Sequence, residues 1–150
     1  QKEQAMRVQN MAGHLIRRLN QVSTHIFAKQ MQETGYDLTP VQFAAMDAIA
    51  SCPGIDQAGV AAKIAYDRAT IGGVIDRLDQ KGYVTRSVSA RDRRAREVRL
   101  TEKGQGLCEE VLPLVEQMQG EMLQALTPQE HAAFLDLARK ALGKSAPDLP

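Results

Sequence analysis

The chain has 150 residues, 43% of them hydrophobic, with no tryptophan and a formal net charge of +1. That length allows one ordinary domain with a real core, or one domain with helical extensions, and its leucine, alanine, valine and methionine suit helices. No apolar run approaches the roughly 20 residues that span a bilayer, and nothing resembles a signal peptide.

Cys52 and Cys108 have no C-x-x-C spacing, so a reduced, cytoplasmic setting without a structural disulfide is expected. His14, His25 and His131 form no metal-ligand pattern, so neither a metal nor another cofactor is expected. The first residue is Gln1 rather than a methionine, and removal of some N-terminal residues is expected.

From Ala5 to about Glu33 the spacing predicts one long helix. Met11, Leu15, Leu19, Val22 and Ile26 repeat at three and four. A seam of that length calls for another subunit. Beside it run His14, Arg18, Gln21 and His25, either the polar border of a dimer interface or the wall of an anion-binding pocket. Gly35 ends the helix.

Thr39-Pro40-Val41-Gln42 then has the form of a capping box with proline at the first helical position. The helix it opens should reach about Ser51 and bury Phe43, Met46 and Ile49. Asp56 is placed to cap a short helix through Ile64, and three residues turn the chain into the next. Two short helices with that turn make a helix-turn-helix.

The next helix is bounded by Asp67 as N-cap and Gly82 as the glycine that ends it. Ile71, Val74, Ile75 and Leu78 form its buried stripe. The opposite face carries Ala69, Gly73, Asp76 and Gln80, flanked by Thr70, Gly72 and Arg77. Two glycines cost about 1 kcal/mol each against alanine, which suits a backbone that must come close to something.

Two alternating strands follow, Tyr83 to Ser89 and Arg96 to Thr101, joined by Ala90-Arg91-Asp92-Arg93-Arg94-Ala95. A helix followed by a hairpin with a cationic tip is the plan of a winged helix-turn-helix. The helix suits a major groove and the arginines the minor groove beside it. Charge agrees. Lys63 to Lys103 holds eleven Lys/Arg against six Asp/Glu, a net of +5, so the rest of the chain carries −4.

After the hairpin, Leu107, Val111, Leu114, Met118 and Met122 continue a heptad-like seam, with a kink expected at Pro113. Thr127-Pro128-Gln129-Glu130 opens a last helix through about Leu142, with Phe134, Leu137, Ala138 and Leu142 apolar. The expected fold is mainly α with a small β-hairpin wing. Residues 1–36 and 102–146 would form a helical dimerisation region, 37–101 the winged helix-turn-helix DNA-binding lobe, and 147–150 a loose tail. An enzyme would need a nucleophile–base pair or a metal cluster, and neither is present. A protein-interaction module without DNA contact would have little use for Arg91, Arg93, Arg94 and Arg96 together.

Asp92-Arg93-Arg94-Ala95, leading through Val98 to Leu100-Thr101 and Gly104, resembles the wing of the MarR (multiple antibiotic resistance regulator) family of bacterial transcription factors. Leu38-Thr39-Pro40-x-Gln42, and Asp76-Arg77-Leu78 with Gly82, are similar to it as well. The resemblance covers nearly the whole chain. It implies a homodimer that binds a pseudo-palindromic DNA operator, usually represses transcription, and is released by a small ligand, often an aromatic acid, bound between dimer layer and DNA lobe.

Carried onto this chain, Thr70 and Arg77 look like recognition-helix contacts and Arg94 like the minor-groove arginine, oriented by a salt bridge from Asp92. Many members carry a long polar side chain where this chain has Gly73. Base reading should therefore shift to Arg68, Thr70 and the backbone at Ala69 and Gly73, with Arg91, Arg93 and Arg96 near phosphates.

Oxidant-sensing relatives use a cysteine in the first helix, which this chain lacks, so thiol sensing is only an alternative. Gly13-His14-Leu15-Ile16-Arg17-Arg18 and Pro53-Gly54-Ile55-Asp56-Gln57 look similar to regulators of aromatic-acid breakdown. The expected ligand site has His14 and Arg18 holding an aromatic carboxylate, with Met11, Phe43 and Met46 as its apolar wall.

Overall fold

The computed structural model describes residues 6–143. Ala5 and the tail expected from Ser145 lie outside the described residues. In chain order come a 3-10 turn Arg7–Asn10, then α1 (Ala12–Thr34), α2 (Pro40–Ser51), α3 (Gln57–Lys63), α4 (Arg68–Gln80), β1 (Val84–Val88), β2 (Arg96–Leu100), α5 (Glu102–Met122) and α6 (Pro128–Ala141). The fold is mainly helical with one two-stranded antiparallel hairpin.

Most boundaries follow from local chemistry. Thr39 and Gln42 close a full capping box on α2, and Thr127 and Glu130 do the same on α6. The Asp56 carboxylate accepts the Gly59 N–H at the start of α3, and Asp67 accepts that of Thr70 at the start of α4. The opening helix differs from expectation: Met11 is extended, and α1 begins only at Ala12. The apolar repeat runs on across this break, but Gly13 and a first turn without acidic residues make a weak helix start.

The chain divides into two compact units, one running up to Thr34 and resuming at Glu116, the other Gly35–Val115. The second unit therefore keeps residues 102–115, which the sequence had placed with the dimerisation region. Local packing gives the reason. A Cβ on Gly104 would overlap the Tyr83 carbonyl oxygen, so only glycine lets α5 approach the hairpin base there. Thr101 caps α5 through the Gly104 N–H (3.0 Å), and the Tyr36 hydroxyl donates to Glu110 (2.9 Å).

Inside this unit α2 packs on α3, α4 and β2, and Met46, Val60, Ile71, Ile75, Leu78 and Val98 are fully or almost fully buried. Truncating Met46, Ile71, Ile75 or Leu78 to alanine should cost about 2–5 kcal/mol. The hairpin pairs Val84 with Leu100 and Arg86 with Val98. The Val98 N–H also bonds the Ile55 carbonyl (2.9 Å), and Asp56 bridges Glu97, so the α2–α3 turn lines the far edge of β2.

The first unit holds α1, the end of α5 and α6. Gln30 donates to Glu121 across it (3.1 Å), and Phe27, Met31 and Met118 are buried. Along the seam expected on α1, Met11, Leu15, Leu19 and Val22 are exposed and Ile26 is half-buried; Leu137 and Leu142 are exposed too. α6 buries no residue.

Candidate nucleic-acid interface

The stripe Ile71, Val74, Ile75 and Leu78 holds α4 to its unit, with exposures of 0 to 8%. That packing turns Arg68, Ala69, Thr70, Gly73 and Arg77 to solvent, and all five are exposed. A Cβ added at Gly72 or Gly73 would meet nothing within 4 Å, so no neighbour in the unit requires either glycine. The Thr70 hydroxyl donates to Asp67 (2.7 Å), which leaves it free only as an acceptor toward a partner.

Those bonds from Thr70 hold the Asp67 carboxyl below its usual range. A depressed carboxylate stabilises the fold above its ordinary value, and this contribution fades as pH falls through the lowered one.

The wing tip is organised by local bonds around Ser89, whose hydroxyl oxygen accepts the Arg91 and Asp92 N–H groups (3.2 and 3.4 Å). The Asp92 carboxylate accepts the backbone N–H of Arg94 (2.9 Å). No ion pair joins Asp92 to the Arg94 guanidinium among the described residues, so the expected salt bridge is replaced by an Asx-type turn. A side chain two residues from its target reaches the backbone amide more readily than a long guanidinium.

Arg91, Arg93, Arg94 and Arg96 are exposed. Among the described residues these four, like Arg68 and Arg77, form no ion pair with the chain's own carboxylates. Arg86 is different. It lies on the hairpin face shared with Val84, and its guanidinium reaches Asp76 (2.6 Å) and Asp79 (3.0 Å) of α4. By charge alone Arg86 belongs to the basic surface of residues 63–103. An arginine at an inward strand position, with aspartates three apart on the preceding helix, was the available signal.

The expected ligand residues are divided between the units. Met11 and Arg18 are exposed and His14 half-buried in the first unit. In the second, Met46 has no accessible surface, so it is core and offers no ligand wall; helical spacing gives a residue's face but not its depth. Phe43 instead lines a cavity of about 420 Å³, with Asp47, Pro53, Arg99, Cys108 and Leu112 among the other walls. Burial, with Asp47 and Glu109 nearby, pushes the Cys108 thiol up to about 11. Such a thiol stays protonated near neutrality and is a poor redox sensor.

Among the described residues no group of three His, Cys, Asp or Glu could hold a metal ion, and no helix is long and apolar enough to cross a membrane.

Residues 36–95 match the MarR family model. The transcriptional regulator HosA of Escherichia coli is 32% identical over 137 residues, covering 91% of this chain and 98% of that protein. The chain belongs to the MarR family. A second relative, the HTH-type transcriptional repressor NicR of Pseudomonas putida, is 34% identical over 135 residues, 90% of this chain and 84% of that one. Among solved structures, BpsR of Bordetella bronchiseptica superposes with a TM-score of 0.85 at 31% identity, covering 95% of this chain and all of that one. The DNA binding of BpsR is regulated by 6-hydroxynicotinic acid. The two-stranded hairpin behind α4 is thus the wing of a MarR-family transcriptional regulator.

Proposed function

We propose that this MarR-family regulator is a cytoplasmic, non-catalytic repressor that binds a pseudo-palindromic operator as a homodimer. Each protomer inserts α4 into a major groove and its wing into the adjacent minor groove. One observation carries the DNA surface: Arg68 and Arg77 on α4, with Arg91, Arg93, Arg94 and Arg96 on the wing, are exposed and, among the described residues, without internal ion pairs. Arginines whose charge is unspent inside the protein are available to phosphates and groove edges. The exposed seam of Leu15, Leu19 and Val22 supports a second copy as the partner of α1.

The effector is a small aromatic carboxylate. In its favour stand the cavity, whose volume lies in the range of small-ligand sites, its Phe43 wall, and the regulation of BpsR by such an acid. Two arginines could hold the carboxylate: Arg99 at the cavity, or Arg18 one helical turn from His14 on α1. The ligand acts through its difference in affinity for the DNA-competent and released shapes, for which about 1–3 kcal/mol suffices.

The test is a calorimetric panel of benzoates, hydroxybenzoates, cinnamates and hydroxynicotinates against wild type, Arg18→Ala and Arg99→Ala, with operator release followed in parallel. An acid that binds wild type, releases DNA and loses affinity in one variant identifies the anchor. If no acid in the panel binds, the aromatic-acid reading fails.

A further inference from the structure

Arg86 sits on β1, four residues past Gly82, the glycine at which the chain leaves α4 with a φ of +80°. From there it reaches back to α4 with both arms of its guanidinium. One nitrogen meets Asp76 at 2.6 Å and the other meets Asp79 at 3.0 Å. The first nitrogen also lies 3.4 Å from the Gln57 side-chain oxygen, at the first residue of α3.

Asp76 and Asp79 are three apart and so share a helix face. Both carboxylates are therefore drawn to one point on the wing. With its side chain only 21% exposed, Arg86 is the most sheltered arginine in any ion pair of the second unit. Beyond it no hydrogen bond or ion pair joins β1 to α4 among the described residues: Ser87 and Val88 are exposed, and the Ser89 hydroxyl bonds within the wing tip. Arg86 is thus the outermost polar tie between recognition helix and wing among the described residues. A planar guanidinium with two carboxylates fixes direction as well as distance, which a single point charge does not.

We propose that Arg86 is a positioning residue for operator binding: it locks the wing to α4 so that both enter their grooves together, and it makes no contact with DNA itself. The proposal rests on the DNA-binding reading above. Its consequence is specific. A scrambled duplex can be held by phosphate contacts with the wing at any angle, whereas an operator needs the helix and the wing in register.

The experiment measures anisotropy of wild type and variants with two duplexes, the promoter region beside the protein's own gene and a scrambled sequence, across a salt series. Arg86→Gln should weaken the promoter complex about tenfold or more, as for loss of a specific contact. Scrambled DNA should be bound as before and the log–log salt slope should not change, because no phosphate contact is lost. Arg86→Lys should recover part of the loss, since lysine can pair with one carboxylate but not fork to two.

A second variant, Asp76→Asn with Asp79→Asn, leaves β1 intact and guards against misfolding of the first. It raises the charge of the lobe by two. Simple electrostatics predicts tighter binding to both duplexes, whereas the positioning role predicts weaker binding to the promoter alone. Three results would overturn the proposal: an unchanged promoter-to-scrambled ratio, tighter promoter binding by the double variant, or a slope flattened by about 0.9, which marks a phosphate contact. A wild type without preference for the promoter would instead defeat the DNA-binding reading, and this proposal with it.

Discussion

The recognition helix α4 and the opening helix α1 carry the same kind of apolar repeat and treat it in opposite ways. In α4, Ile71, Val74, Ile75 and Leu78 are buried by their own unit, and what remains outside is small, polar or cationic. In α1, Leu15, Leu19 and Val22 keep 49, 41 and 42% of their surface exposed. One helix is complete within its own chain and offers charge. The other is incomplete and offers apolar surface. Periodicity alone shows that a stripe exists; burial shows whether the chain's own residues cover it.

The largest effect should come from attacking the incomplete side. Leu15→Asp with Leu19→Asp places two charges on the seam, and on the proposed reading the homodimer should give way to monomer in light scattering. Promoter binding should fall with it, because two linked half-sites bind far more tightly than one. An unchanged mass would mean that the seam is plain surface.

Next comes the cationic side. Arg94→Ala should weaken promoter binding by about 1–3 kcal/mol while mass and thermal stability stay unchanged. If the arginine reaches phosphates as well as the groove, the salt slope should flatten by about 0.9. Affinity unchanged at moderate salt would remove the wing from the interface.

Gly73→Ala sharpens the comparison, because fold and function should respond with opposite signs. The position is exposed, lies inside the helix, and has nothing within 4 Å. Alanine should therefore stabilise α4 by about 1 kcal/mol and raise Tm by about 2–4 °C. If the bare backbone face approaches DNA, promoter affinity should fall several-fold in the same variant. A rise in Tm without loss of binding would show that the glycine is not at the interface.

The smallest effect concerns Cys108. With its thiol pushed up to about 11, alkylation at neutral pH should be slow and should quicken only as pH climbs toward that value. Peroxide should leave promoter binding unaltered. Rapid modification at pH 7 would revive the thiol-sensing alternative.

What was legible in the sequence was mostly local. Thr39 with Gln42, Asp56, Asp67, and Thr127 with Glu130 cap helices where their spacing implied, because a cap is settled within four residues. The stripe of α4 and the exposed arginines of the wing followed from period and charge.

Less legible features depend on depth or on distant partners. Met46 and Phe43 share a helix three residues apart, yet one is sealed in the core and the other faces a cavity whose walls come from α2, β2 and α5. Arg86 counted as one more surface charge until the hairpin folded it back onto Asp76 and Asp79. The wing aspartate was placed correctly at the tip, but it bonds a backbone amide where a salt bridge was expected.

Hydroxyl-radical footprinting of wild type on the promoter beside its own gene tests the central claim most directly. A dimer that presents two α4 helices and two wings should protect two inverted segments about 10 base pairs apart, centre to centre, with flanking minor-groove protection that disappears in Arg94→Ala. Uniform protection without inverted symmetry, or flanking protection retained in Arg94→Ala, would contradict it.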